Sequence, residues 1–294
     1  MKTQAFWLEW HHELRRHAGD DRLPPDLRVH LRERAQRALA RLTSAMPAPF
    51  PRRQLRDAAP VLLPPALRDT AVTAAATSGV DLHTRFVAFD VRRNPAAIVP
   101  AIDWLVNQGH PVLRIGASDP IRRAGVINVR ATAHADLVDR IVIEKAKFVV
   151  CDSGERQQAA VLANTPSLRL NAREPFSAYP VRGNDIFTLA DIVDLDSGRV
   201  LLPNELLSEP YLRHVRNYGL RPNRAEQVLA AVQEIHEGVT AGWREDANQM
   251  RVRERVTEAG MSLASRVPLV AEWGPDEGFL GDGRLARCQA GQML

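Results

Sequence analysis

The chain has 294 residues, 45% of them hydrophobic and 25% charged. That suits one large domain or two small ones around an ordinary globular core. Its net charge of +4 is too small to demand a nucleic-acid partner. Cys151 and Cys288 are the two cysteines, and neither sits in a CxxC or Cys/His array, which argues against structural zinc and a disulfide framework. No apolar run approaches the roughly 20 residues that span a bilayer. The opening "MKTQAFWLEWHHELRRH" mixes charge with apolar residues, unlike a signal peptide. The expectation is a cytoplasmic, soluble protein with no membrane span.

Residues 1–80 read as a helical N-terminal segment, with Trp7, Trp10 and Leu14 at helical spacing and a further helix in "PPALRDTAVTAAATSG" that Gly79 can close. An exposed apolar face there would mark a homodimer or a partner enzyme. His11, His12 and His17 lack ligand spacing and read as surface histidines. From residue 81 to 240 strands alternate with helices. "FVAFDV", "PVLRI", "GVINV", "KFVVC" and "SLRLN" read as strands; "PAAIVPAIDWLVNQG", "AHADLVDRIVIEKA" and "GERQQAAVLAN" read as helices, with Pro100 tolerable only in a first turn. Repeated strand–helix–strand units predict an α/β, Rossmann-like parallel sheet with helices on both faces. Residues 172–222 read as a long ordered loop region with short elements. "RAEQVLAAVQEIHEG" is an amphipathic helix that "TAGWREDANQMRVRERVTEAGMSLASRV" continues. Residues 241–294 form a third segment, a C-terminal helix and a turn-rich tail.

Open parallel sheets bind ligands beyond the carboxyl ends of their strands. The residues following those ends are therefore the candidates: Arg92, Arg93 and Asn94 after the first strand; Arg114, Gly116, Ser118 and Asp119 after the second; Asp152, Ser153 and Gly154 after "KFVVC"; Asn171 and Arg173 after "SLRLN". Several arginines on one rim predict an anion pocket, and a diphosphate matches the planar guanidinium fork. A helix starting at the "DSGE" turn adds free amides and its positive dipole end. The bland readings are specific too. Asp152 with Glu155 matches a capping box, and Arg92 and Arg93 match ordinary solvated charges. Arg114, inside "VLRIG", needs a partner or a ligand if buried. The chain has no GxxxxGK[ST], no GxGxxG after the first strand, no GxSxG and no HExxH, so phosphate-loop, dinucleotide, serine-hydrolase and zincin chemistry lack their motifs. A Cys151 nucleophile would be buried at a strand end.

In order along the chain, "VAFDVRRN", "GHPVLRIG", "ADLVDRIVIEKAKFVVCDSG", "TPSLRLN", "NDIFTL" and "GRVLLPNELL" resemble the C-terminal, nucleotide-sugar-binding half of bacterial glycosyltransferases of GT-B type, distantly similar to the O- and α1,6-fucosyltransferases. The likeness runs over roughly residues 86 to 280 and includes "GPDEGFL" in the tail. It implies a metal-independent transferase without a cofactor, with a nucleoside-diphosphate sugar as co-substrate. Arg92 or Arg93 would meet the diphosphate, with Asn94, Gly116, Asp152, Ser153 and Gly154 lining the pocket. Arg114, Asn171, Asp185 and Glu205 stand in a second tier, and Asp90 would be a candidate base beside Arg93. Two departures, a missing loop and a missing lysine, favour an alternative, a non-catalytic nucleotide-sugar-fold protein acting as a partner or scaffold in natural-product or glycan biosynthesis. The family's loop between its two arginine motifs is absent, so that they merge in Arg92-Arg93-Asn94. Asp90 replaces the family's histidine. No lysine follows Asp185.

Overall fold

The computed structural model describes residues 60–116, 120–129, 135–267, 270 and 281–294. The helical reading of residues 1–59, Ser118, Asp119 and the "GPDEGFL" segment through residue 280 lie outside them.

Seven strands form one parallel sheet in the order β3-β2-β1-β4-β5-β6-β9: β1 (Val87–Asp90), β2 (Val112–Arg114), β3 (Val126–Asn128), β4 (Val149–Cys151), β5 (Ser167–Ala172), β6 (Ile186–Leu189) and β9 (Arg284–Leu285). Two further strands, β7 (Asp191–Asp194) and β8 (Tyr218–Arg221), pair antiparallel in a small separate sheet. The helices are α1 (Pro65–Thr77), α2 (Val99–Asn107), α3 (Ala135–Lys145), α4 (Gly154–Ala163), α5 (Pro175–Ala178), α6 (Glu209–Leu212), α7 (Ala225–Ala241), α8 (Ala247–Leu263) and α9 (Arg287–Ala290). The α/β, Rossmann-like architecture read from the sequence is the one observed. Along β1, Val87 and Phe89 face the layer of α2 and α7, while Phe86 and Ala88 face the layer of α1, α3 and α4. This strand is therefore apolar on both sides, as a central parallel strand must be.

Local chemistry sets the ends. Pro100 falls in the first turn of α2, after a 3-10 turn over Pro95–Ile98, where its missing N–H costs nothing. Ser78 and Gly79 close α1. The helix expected to run on past residue 238 is instead broken. Gly242, at φ 94°, turns the chain out of α7, and Asp246 starts α8 by exchanging side-chain and amide hydrogen bonds with Gln249.

The supposed loop region holds the buried strand β6, and the tail supplies β9, which pairs Ile186 with Arg284 and Phe187 with Leu285. At the other end, α1 packs on α3, and Glu144 accepts both the Leu63 amide and the Arg68 guanidinium. Chain from either side of residues 81–240 thus completes the same sheet and its covering layer.

Candidate functional site

Strand order reverses between β1 and β4. From β1 the chain winds outward to β2 and β3, and from β4 outward to β5, β6 and β9. In open parallel sheets the loops leaving two such strands diverge, and the crevice between them is the expected ligand site. Arg92, Arg93 and Asn94 leave β1 there; Asp152 and Ser153 leave β4 and lead into α4.

Asp152 joins the two loops. One carboxylate oxygen accepts the Arg92 amide at 2.9 Å and the Arg93 amide at 2.7 Å. Asp152 is thus not the cap of α4. Ser153 is, its hydroxyl accepting the Arg156 amide at 3.3 Å, so the helix begins one residue later than a capping box at Asp152 requires. Burial raises the Asp152 carboxyl above its ordinary range, against the pull of the Arg93 and Arg92 amides.

Asp90 ends β1 and is 1% exposed. Arg156 Nε reaches it at 2.8 Å, Arg92 Nε at 3.4 Å and Arg114 Nη1 at 3.9 Å. Arg156 also holds Asp139 of α3 at 2.5 Å. Asp139 in turn accepts the Gly116 amide at 3.3 Å. Its carboxyl is raised by burial, against the charge of Arg156. The cluster Asp90–Arg156–Asp139 locks β1, α3 and α4 together under the crevice floor. Asp90 is thus buried and ion-paired, and it orients the arginines around it.

Arg114 is buried as its apolar neighbours imply, and its two terminal nitrogens find acceptors on the backbone around the end of β1. It donates to the Phe89 carbonyl at 3.2 Å and the Val91 carbonyl at 2.5 Å. Its guanidinium thereby braces the backbone where β1 ends. Gly116, at φ 78°, lies against the Asp90 carboxylate.

Asn171 lies in an irregularity of β5 at φ 58° and exchanges hydrogen bonds with Asn223. The Asn171 amide donates to Asn223 Oδ1 at 2.9 Å, and the Asn223 amide donates to Asn171 Oδ1 at 2.6 Å. Asn94 Nδ2 reaches the Asn223 carbonyl at 3.4 Å, so Asn223 ties the β1 loop to the end of β5.

Two expected residues are held by partners of their own. Asp185 precedes β6, at the opposite end of the sheet. It is completely buried, bound by Arg182 at 2.7 Å through both oxygens and by Ser167. Glu205 belongs to the ledge around β7 and β8 and is gripped by Arg199 at 2.7 Å through both oxygens. Cys151 is buried, and burial pushes its thiol far up, as expected of an inert strand-end cysteine.

The structure therefore brings Arg92, Arg93, Asn94, Asp152, Ser153 and Gly154 to one crevice mouth, with Asp90, Arg114 and Gly116 beneath it. Sequence reading missed Arg156, Asp139 and Asn223. Asp139 carried a signal: a carboxylate on the otherwise apolar, core-facing side of α3, with Val138, Val142 and Ile143 buried around it. Comparison of the chain with family models, with curated proteins and with solved structures finds no match. Function rests on this geometry and on general chemistry.

Proposed function

We propose that the crevice between β1 and β4 holds the diphosphate of a nucleotide sugar, and that the protein is a divergent glycosyltransferase acting on an acceptor yet to be identified. One observation carries this reading. The side chain of Arg92 is 54% exposed at the mouth of the crevice, with Arg93 beside it and the first turn of α4 across from it. Guanidinium groups facing the open amides of a helix start form an anion-binding arrangement. Asp152 supports the same reading by holding the Arg92 and Arg93 backbone in place. Asp90 steers the Arg92 guanidinium. The Arg92 guanidinium and the backbone of both arginines are thus set in position before a ligand arrives, which lowers the ordering cost of binding. As diphosphate departs, the same cations would stabilise the charge growing on it.

A specific observation favours the second reading, a nucleotide-sugar-binding partner without catalysis. Among the described residues, the carboxylates at this rim, Asp90, Asp139 and Asp152, are each taken up by arginine or amide donors.

The test is calorimetry with nucleoside diphosphates and their sugars, followed by donor turnover. At least one should bind, and Arg92→Ala should weaken it about tenfold, as loss of one charge-assisted hydrogen bond implies. Binding without turnover selects the partner reading. The absence of binding by any of these compounds overturns both.

A further inference from the structure

At the opposite end of the sheet from the crevice, three nitrogens from distant parts of the chain converge. His110 precedes β2, Lys147 precedes β4, and His236 lies near the end of α7. His110 Nε2 and His236 Nε2 are 2.9 Å apart, and Lys147 Nζ lies 3.2 Å from the first and 3.1 Å from the second. The His236 ring stands edge-on to Trp104 of α2, with centroids 5.2 Å apart, and edge-on to Phe148 at 6.5 Å. Core packing thus aims it at His110. All three polar groups are partly exposed, so protons reach them from solvent.

Proton bookkeeping makes the contact conditional. A ring Nε2 carries either a hydrogen or a lone pair, and a lysine ammonium only donates. The bond between the two rings needs at least one lone pair, and the ammonium beside them needs one as well. A neutral ring supplies it. When both rings are protonated, three cations meet within 3.2 Å and no acceptor remains among them. Like charges so close repel. Carboxylates on the surrounding helices are engaged elsewhere: Asp103 of α2 with Arg123, Glu144 of α3 with Arg68 and Arg140, and Glu237 of α7 with Arg287. A further charge acting on the triangle, from Arg85 ahead of β1, is positive too.

We propose that His110 and His236 form an acid-released latch: when neutral they fasten the end of α7 to the strand edges at β2 and β4, and when both take up protons they push it off. The consequence lies in the helix. α7 packs on α2 and on the 3-10 turn that follows the crevice loop. It begins beside Asn223, which ties that loop to β5. The latch thus holds one end of a helix whose other end braces the crevice, whatever the crevice binds.

The environment sets the pH window. Burial, then the Lys147 charge, holds His236 at about 4, from an ordinary 6.5; burial, then Lys147 and Arg85, lowers His110. A base depressed in the folded chain takes up its proton first in the unfolded one. The latch therefore contributes fully above 6.5 and loses its hold as the pH falls from 6.5 towards 4.

The experiment follows histidine ring carbon shifts of the full chain through that window and compares amide exchange in wild type and His236→Gln. The chain has nine histidines, so the two rings are assigned through their backbone amides. Both should titrate below 6.5. Lys147→Met, which removes the charge and keeps an apolar stem, should move His236 upward. At each pH the intrinsic exchange rate is common to both chains, so their ratio reads the latch. Residues 236–241 of wild type should gain about tenfold in exchange relative to the variant as the pH falls through the window, the factor that one pH unit of linked proton uptake supplies. A ratio constant with pH, or a His236 that ignores Lys147→Met, overturns the proposal. Should His236→Gln fail to fold, the wild-type titration decides alone, and ring midpoints at or above 6.5 overturn the latch.

Discussion

Asp90 and Gly116 fit one another at the scale of atoms. A Cβ placed on Gly116 would lie 2.8 Å from both Asp90 carboxylate oxygens, and its φ of 78° is one that side chains rarely adopt. Gly116→Ala should therefore strain the backbone and push Asp90 off Arg156, costing about 1–3 kcal/mol of stability. Denaturant unfolding measures it, and a midpoint equal to wild type contradicts this account of the pair. Residue chemistry at this scale was only partly legible in the sequence. The arginines after β1 were visible because a strand end is a known place. Arg156 was not, because an arginine in the first turn of a helix looks like any solvated charge. Only the fold brings it against Asp90, 66 residues earlier in the chain. The His110–Lys147–His236 triangle was hidden for the same reason: its members come from two loops and a helix, with no spacing to betray them.

Elements were legible in proportion to their periodicity. The long helices and the strands of the first half carry it, and they stand where the pattern predicts. β6 and β9 lie outside the strand–helix alternation, β6 in a stretch rich in Pro, Asn and Asp and β9 just after the glycines of "GDGRLA", and both are defined by the neighbour they pair with. The ledge formed by β7, β8 and the 3-10 turn over Glu205–Leu207 has its own electrostatic fastening. Hydrogen bonds from Arg199, then from the Leu202 amide, hold the Glu205 carboxyl down at about 2, from an ordinary 4.5. A carboxyl whose folded value is depressed contributes stability above its unfolded value and loses it as pH falls through the folded one. The ledge should thus loosen between about pH 4.5 and 2. Glu205→Gln should flatten the pH dependence of unfolding in that window, without touching ligand binding at the crevice. A carboxyl carbon shift that titrates with a midpoint at or above 4.5 would falsify the fastening.

Across the whole molecule, described residues from before 80 and beyond 240 pack on the same sheet as residues 81–240. The C-terminal segment completes the sheet. β9 covers the edge of β6. Gln289 satisfies both the amide and the carbonyl of Leu189 at 2.7 Å. Glu234 of α7 accepts the Arg287 amide, and Gln249 of α8 donates to the Leu285 carbonyl. Leu285, Ala290 and Met293 are buried in the same cluster as Phe187 and Tyr211. Removing residues 281–294 exposes a strand edge, which invites aggregation, and uncovers Leu285-sized apolar contacts at about 1.5–3 kcal/mol per side chain. Native domains hold only about 5–15 kcal/mol in reserve, so several such losses together exhaust it. A chain ending at residue 280 should therefore show no cooperative thermal transition by circular dichroism and should elute as aggregate. A truncated chain that melts cooperatively as a monomer would show instead that residues 81–240 form a self-sufficient domain, with the tail merely docked upon it.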